Sequence, residues 1–252
     1  MEVLRRNYLH SDLDSVARAA GVTGTVVVQA RQTIAETDWL LTVAERSNLI
    51  RGVVGWAPLV DANVEQYLAG ITRNPKLKAV RHVLQDEPDD HFMLREDFNR
   101  GIALLKEFNL RYDLLISERH LPQAIEFVDR HPKQVFILDH IAKPRIREDA
   151  MEPWRHHLRE LGLRLNLYCK ISGMVTEANW GFWTEAQLQP YFETVLDAFG
   201  AERLMFGSDW PVLGLASTYS TWLAIVKRAI SGLSHQNRQR ILAGTAVEAY
   251  GL

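Results

Sequence analysis

The stretch "RLMFGSDWPV" (residues 203–212) decides how the chain is read. Leu204, Met205 and Phe206 form a short apolar run of the kind that ends a buried strand. The chain then passes Gly207 and Ser208 and places a carboxylate, Asp209, before Trp210 and Pro211. Carboxylates are seldom buried without a partner. An acid at the mouth of such a strand is either a satisfied structural group or a working one. As a structural acid, Asp209 would close an Asx-turn or cap the segment that follows.

The same strand pattern recurs on the N-terminal side of this stretch. Apolar runs rich in β-branched residues stand at 24–30, 51–59, 77–84, 110–117, 134–140 and 163–172. Helical periodicity fills the intervals. Leu40, Leu41 and Ala44 share a face within 37–47, and Ile102, Leu105 and Phe108 within 98–108. Ala124, Ile125 and Val128 do so within 121–129, and Val195, Leu196 and Phe199 within 191–199. Strands apolar on both faces, alternating with helices, mean a parallel α/β sheet, either doubly wound or closed as a (β/α)8 barrel. Polar residues end most of the strands: Gln29, Arg81 or His82, Ser117, Asp139 or His140, Ser172 and Asp209. That spread favours a barrel, in which every βα loop faces one site. An open sheet would gather them near one switch point. Neither a G-x-G-x-x-G nor a P-loop follows the early strands, so a dinucleotide or nucleoside triphosphate has no cradle.

One domain over residues 1–252 is expected, with seven of the eight barrel strands. The chain enters at a helix over 12–20, with Ser11 or Asp12 as its cap, so the absent strand is the first. Strands 24–30 and 203–210 would then flank a gap with unpaired edges. Composition narrows the partners. With 47% hydrophobic residues, 24% charged residues and a net charge of −2, neither nucleic acid nor an anionic membrane is expected. The single cysteine, Cys169, excludes an internal disulfide and a thiolate zinc cage. There is no apolar signal-peptide core at the start and no run near the ~20 residues of a membrane span. The expected setting is the cytoplasm, and the expected partner a small molecule, with a homo-oligomer left open.

Chemistry-bearing residues cluster at the strand ends. "LDHIAKP" (138–144) offers His140 as a base, electrophile or metal ligand, or as a hydrogen-bonded core histidine. Strict alternation puts His140 on the face of Phe136 and Leu138, with Asp139 opposite. In "YCKISG" (168–173), Tyr168, Lys170 and Ser172 share a face. A lysine in such a strand either pairs with a nearby acid or meets substrate, because an unpaired buried ammonium is costly. Arg81 and His82 point to opposite faces, so only one of them faces inward. Trp56, Trp180, Trp183 and Trp210 fall at or after strand ends, where a ring can stack on a sugar or simply pack. Trp39 and Trp154 lie within helices and read as packing.

Taken together, "RHVLQDEPDD", "LDHIAKP", "CKISGMVTEANW" and "LMFGSDWPV" resemble the amidohydrolase-related lactonase family. That group includes sugar-lactone hydrolases of the L-fuconolactone and L-rhamnonolactone type, with pyrone-dicarboxylate hydrolase a more distant relative. The resemblance runs from about Val3 through the closing "ILAGTAVEAYGL". It implies a distorted (β/α)8 barrel of the amidohydrolase type and hydrolysis of a cyclic ester. By the same resemblance, Asp209 is the acid that binds and deprotonates water, and His140 is the sixth-strand histidine. Arg81, His82, Lys170, Ser172, Trp56 and Trp180 are the expected substrate contacts. The family's opening His-x-His pair has no counterpart here, His10 standing alone, and Ser117 stands near the place of the fifth-strand histidine. His140 and Asp209 would be the ligands of any divalent metal, and two are fewer than the three of a catalytic zinc site. The resemblance therefore implies either no required cofactor or one weakly held zinc. The alternatives are a barrel that binds a ligand without turnover, and a pyrone-dicarboxylate-type hydrolase, which would need several inward basic groups.

Overall fold

A computed structural model describes residues 2–252. Its seven strands are β1 (Thr25–Val28), β2 (Ile50–Gly55), β3 (Leu77–Val83), β4 (Arg111–Leu115), β5 (Phe136–Leu138), β6 (Leu167–Ile171) and β7 (Leu204–Phe206). All pair in parallel, in sequential order from β1 to β7. Among the described residues β1 pairs only with β2 and β7 only with β6, so the sheet stays open between its first and last strands. It nevertheless curls. Val54 of β2, Ile137 of β5 and Met205 of β7 fall in one buried cluster, which a flat sheet of this width would not allow.

The helices are α1 (His10–Ala19), α2 (Ile34–Glu45), α3 (Val64–Ile71), α4 (Glu96–Leu105), α5 (Leu121–Arg130) and α6 (Trp154–Leu161). They continue as α7 (Met174–Glu177), α8 (Glu185–Arg203), α9 (Tyr219–Ala229), α10 (His235–Gln239) and α11 (Thr245–Tyr250). Hydroxyl caps start several of them. Thr33, Thr184, Thr218 and Ser234 each accept an N–H from three residues on, at 3.1–3.2 Å. The entry helix differs from expectation. Helix α1 begins at His10, and Asp12 lies inside it, reaching back to accept the Leu9 N–H at 2.8 Å. Asp12 thus serves as the acid of a first turn and not as the N-cap.

The core has two compartments. Between sheet and helices, Phe98, Tyr112, Phe127 and Phe136 pack with ring centroids 5.4–6.1 Å apart, from α4, β4, α5 and β5. Inside the curl lies a smaller apolar floor of Val54, Ala79, Ile137 and Met205, plugged by Ala249 and Tyr250 of α11. The plug is tied down: Lys78 Nζ donates to the Gly251 carbonyl at 2.9 Å and Arg111 Nε to the Ala249 carbonyl at 2.8 Å. Closing the floor leaves the C-terminal ends of the strands as the open face.

Candidate active site

Above the apolar floor the inward side chains change from apolar to ionic. Register places Arg81 beside Asp113 across β3 and β4, one residue pair above Val80 and Tyr112. Lys170 Nζ lies 2.5 Å from Asp113 Oδ2 and 2.6 Å from Asp139 Oδ1. Arg81 donates from Nη1 to Asp139 Oδ2 at 2.8 Å and from Nη2 to the Gln29 carbonyl. Tyr250 donates its hydroxyl to Asp113 Oδ2 at 2.8 Å, joining the ionic layer to the floor. Two cations and two anions cancel, as burial demands. Burial opposes the ionised form of Asp139, but Lys170 and Arg81 outweigh it and hold the carboxyl below the usual carboxylate range. Burial pushes the Asp113 carboxyl up to about 6 despite Lys170. Burial likewise disfavours the Lys170 ammonium, but Asp113 and Asp139 outweigh it and raise its pKa well above the ordinary value.

The mouth lies one layer higher. Strand β5 ends at Leu138, and the residues from His140 to Lys143 all have positive φ, between 48° and 60°. Non-glycine residues occupy this region at a cost, and four in succession make a left-handed turn that the surroundings must hold. This turn corrects the expectation from alternation. Phe136 and Leu138 face the covering helices, which would have sent His140 outward with them. The chain reverses hand after Asp139, so Asp139 points into the ionic layer and His140 still reaches the mouth.

There His140 Nδ1 lies 2.9 Å from Ser172 Oγ, and His140 Nε2 lies 3.7 Å from Asp209 Oδ1. Burial holds the imidazole pKa below its ordinary value, and Asp209 and Asp139 only partly oppose this. The ring is therefore neutral near pH 7. The facing carboxylate favours the tautomer with the proton on Nε2, which leaves Nδ1 to accept from the Ser172 hydroxyl. Asp209 itself has φ +56°, in the left-handed region that aspartate tolerates better than most residues. The local turn is closed by Ser208, whose Oγ accepts the Trp210 N–H at 3.2 Å, so Asp209 does not serve the Asx-turn. Two glycines permit the crowding. A Cβ on Gly173, where φ is +72°, would stand 2.7 Å from the His140 Cβ, and one on Gly207 would stand 2.9 Å from the Ser172 Cβ.

The remaining expected contacts are distributed unevenly. Arg81 faces inward and His82 outward, as their alternation requires. His82 stacks on Phe92 at 5.0 Å, bonds Glu87 through Nε2 at 2.6 Å and accepts the Trp56 indole N–H at 3.4 Å. Trp180 donates its indole N–H to the Thr176 carbonyl at 2.8 Å. Arg81 and Lys170 stand one layer below the mouth with their charges matched. Asp113 of the ionic layer escaped the sequence reading, and so did two residues at the mouth. Lys143 ends the left-handed turn, and its Nζ lies 3.8 Å from Glu177 Oε1 at the end of α7. The opposite charges Asp113 and Lys170, each set in an apolar strand, were a signal that they pair; nothing comparable marks Lys143 or Glu177.

A curled parallel α/β sheet with a histidine and an aspartate facing each other at its C-terminal ends defines a barrel protein with one site at its mouth. The chain belongs to the amidohydrolase family, whose profile matches residues 2–252. It is 40% identical over 263 residues to an L-fucono-1,5-lactonase of Burkholderia multivorans, covering 100% of this chain and 88% of that protein. It is 34% identical over 261 residues to an L-fucono-1,5-lactonase of Burkholderia ambifaria, covering 99% and 87%. The crystal structure of an amidohydrolase from Burkholderia multivorans with bound zinc superimposes with a TM-score of 0.97 at 40% identity, covering 100% of this chain and 91% of that one.

That zinc prompts the question of whether these residues fit a metal. His140 Nε2 and Asp209 Oδ1 are suitable donors, but among the described residues no group of three or more His, Cys, Asp or Glu side chains converges. The donor set falls short of a three-ligand catalytic zinc site. Among the described residues, no helix is long and apolar enough to cross a membrane.

Proposed function

We propose that this chain hydrolyses a sugar-acid lactone of the L-fuconolactone type, with Asp209 as general base and His140 as the donor beside it. The observation that carries this is the 3.7 Å approach of His140 Nε2 to Asp209 Oδ1 at the mouth. The gap is too long for a direct hydrogen bond, yet a water ~2.8 Å from each atom spans it. Such a water loses a proton to Asp209 as its oxygen bonds to the lactone carbonyl carbon. The carbonyl oxygen gains negative charge, which the Nε2–H of His140 stabilises. The ring C–O bond then breaks, and the proton on Asp209 passes to the departing alkoxide. The new carboxyl group loses its own proton to solvent.

Identity of 40% over the whole chain to an L-fucono-1,5-lactonase supports the substrate class. Trp180, half-buried beyond the end of β6, is the ring proposed to stack on the sugar; Trp56, half-buried beyond the end of β2, is instead engaged by His82. Ser172 fixes the imidazole, and Arg81 and Lys170 support the site through Asp139, which precedes His140. The dicarboxylate alternative is weakened by the same ion pairs. Its two acidic groups need free cations, and both Arg81 and Lys170 are already matched. A pH-indicator screen over aldonolactones and a pyrone dicarboxylate tests this. Turnover of a six-carbon aldonolactone is expected. Turnover of the pyrone alone would replace the substrate class. Binding of lactones without any acid release would leave a non-catalytic barrel.

A further inference from the structure

Opening a lactone turns a neutral molecule into an anion. One negative charge therefore appears at the mouth with each turnover, since carboxylic acids ionise well below pH 7. The site already holds two carboxyl groups. Burial raises the pKa of Glu177; Lys143 opposes this, Asp209 adds to it, and Arg147 opposes it to a lesser extent. The cations of the ionic layer cannot meet the new charge. Arg81 is bound to Asp139, and Lys170 to Asp113 and Asp139. Lys143 is placed differently. It ends the left-handed turn that His140 begins, its own N–H bonded to the His140 carbonyl at 2.8 Å. Its ammonium stands 3.8 Å from Glu177, with side-chain exposures of 24% and 30%. That is close enough to hold the ammonium electrostatically, and too far for the short charge-assisted hydrogen bond that would commit it. The mouth thus carries two donor–acid pairs, His140 with Asp209 at 3.7 Å and Lys143 with Glu177 at 3.8 Å.

We propose that Lys143 is the ligand-facing cation of this site: it receives the carboxylate of the opened aldonate, and the oxyanion that precedes it, while Glu177 holds the ammonium in place. The proposal rests on the lactonase assignment above and adds to it the residue that recognises the product's charge. A planar guanidinium would demand a paired carboxylate geometry, whereas a lysine ammonium is a point charge that can follow the oxygen as it moves from oxyanion to carboxylate.

The test separates anion recognition from turnover. An aldonate and the corresponding uncharged alditol are titrated calorimetrically into the wild type, Lys143→Met, Lys143→Arg, Glu177→Gln and, as a control, Arg159→Met. Methionine and lysine are both unbranched, so Lys143→Met keeps the backbone preference of the turn. Aldonate affinity is expected to fall at least tenfold in Lys143→Met, a few-fold in Glu177→Gln, and to recover in part in Lys143→Arg. Alditol affinity stays within twofold throughout, and Arg159→Met, an exposed cation on α6, behaves as wild type. A Lys143→Met protein that binds aldonate as tightly as the wild type overturns the assignment, as does equal loss of aldonate and alditol. Lactone turnover is followed on the same preparations. Lys143-dependent aldonate binding without turnover by the wild type would sink the lactonase assignment and leave the cation's role standing.

Discussion

At the scale of single residues, the proposed chemistry depends on Asp209. Asp209→Asn keeps the shape of the side chain and removes its ability to take a proton from water. Turnover should fall by about 10²–10⁴ with melting temperature and lactone KM little changed; unchanged kcat would show that the base lies elsewhere. Gly173 supplies a steric test of the same pair. Gly173→Ala places a methyl 2.7 Å from the His140 Cβ at a φ of +72°, so both the turn and the imidazole must move. Strain of ~1–3 kcal/mol is expected in denaturant unfolding, together with a loss of kcat. Wild-type stability and rate in that variant would mean that His140 has room the geometry denies. These residues were legible because their types are out of place in apolar strands. Asp209, His140 and Ser172 are polar groups at strand ends, where a barrel delivers them to one mouth. Lys143 and Glu177 were not legible. A lysine in a loop and a glutamate at a helix end are ordinary surface residues, and only the tertiary approach of 3.8 Å gives them their proposed role.

At the scale of elements, the decisive unit is the short strand β5 and its left-handed exit. Sequence periodicity foresaw the seven strands and the helices α1, α2, α4, α5 and α8, because apolar runs and 3.6-residue repeats depend on burial alone. It carried the strand at 134–140 two residues too far, since hydrophobicity does not record where φ changes sign. The helices α3 and α9 were not foreseen from periodicity, although both bury an apolar face. What holds the turn is buried on both flanks. Asp139 is gripped by Arg81 and Lys170, and the Trp154 indole N–H donates to the Ile141 carbonyl at 2.8 Å. Trp154, which the sequence marked as helix packing, therefore also anchors the turn that bears His140. Trp154→Phe retains an aromatic ring and loses the donor, leaving a buried carbonyl without this partner. A stability loss of ~1–3 kcal/mol is expected. Hydrogen exchange should quicken in the peptide covering 139–145 and stay unchanged in β4, and kcat should fall in the wild-type background but not in His140→Asn. An equal fall in both backgrounds would assign Trp154 to general packing.

At the scale of the whole molecule, the three layers stacked inside the curl set stability, while buried histidines outside the ionic layer govern much of the response to pH. The floor and mouth are joined by the ionic layer, and Lys170 is its central member. Lys170→Met would leave Asp139 with Arg81 alone and Asp113 with no cation, at zero exposure for both carboxylates. Removing one partner from a buried ionic group costs about 3–5 kcal/mol, so this variant should be the least stable of those named here. Acid acts through a different set of groups. Burial, opposed by Glu87, lowers the pKa of His82; burial, with help from Arg119, lowers that of His120; burial, with help from Arg130, lowers that of His131. In the unfolded chain each histidine titrates near its ordinary 6.5. Below that pH the unfolded state binds protons that the folded state refuses, so stability present at neutral pH is lost as pH falls below about 6.5. Asp113 works in the opposite direction. Its folded pKa of about 6 stands above the ordinary 3.8, so its contribution is lost as pH rises through about 6. His140 acts with these three and Glu177 with Asp113, so four histidines outnumber two carboxyls, and the net expectation is a fall in urea midpoint from pH 7.5 to pH 5.5. Replacing His131 by asparagine should flatten that fall, because its imidazole pairs with Asn99 through Nε2 and takes no part in the mouth. A midpoint that holds steady or rises on acidification would mean that Asp113 and Glu177, and not the buried histidines, dominate the proton balance of the fold.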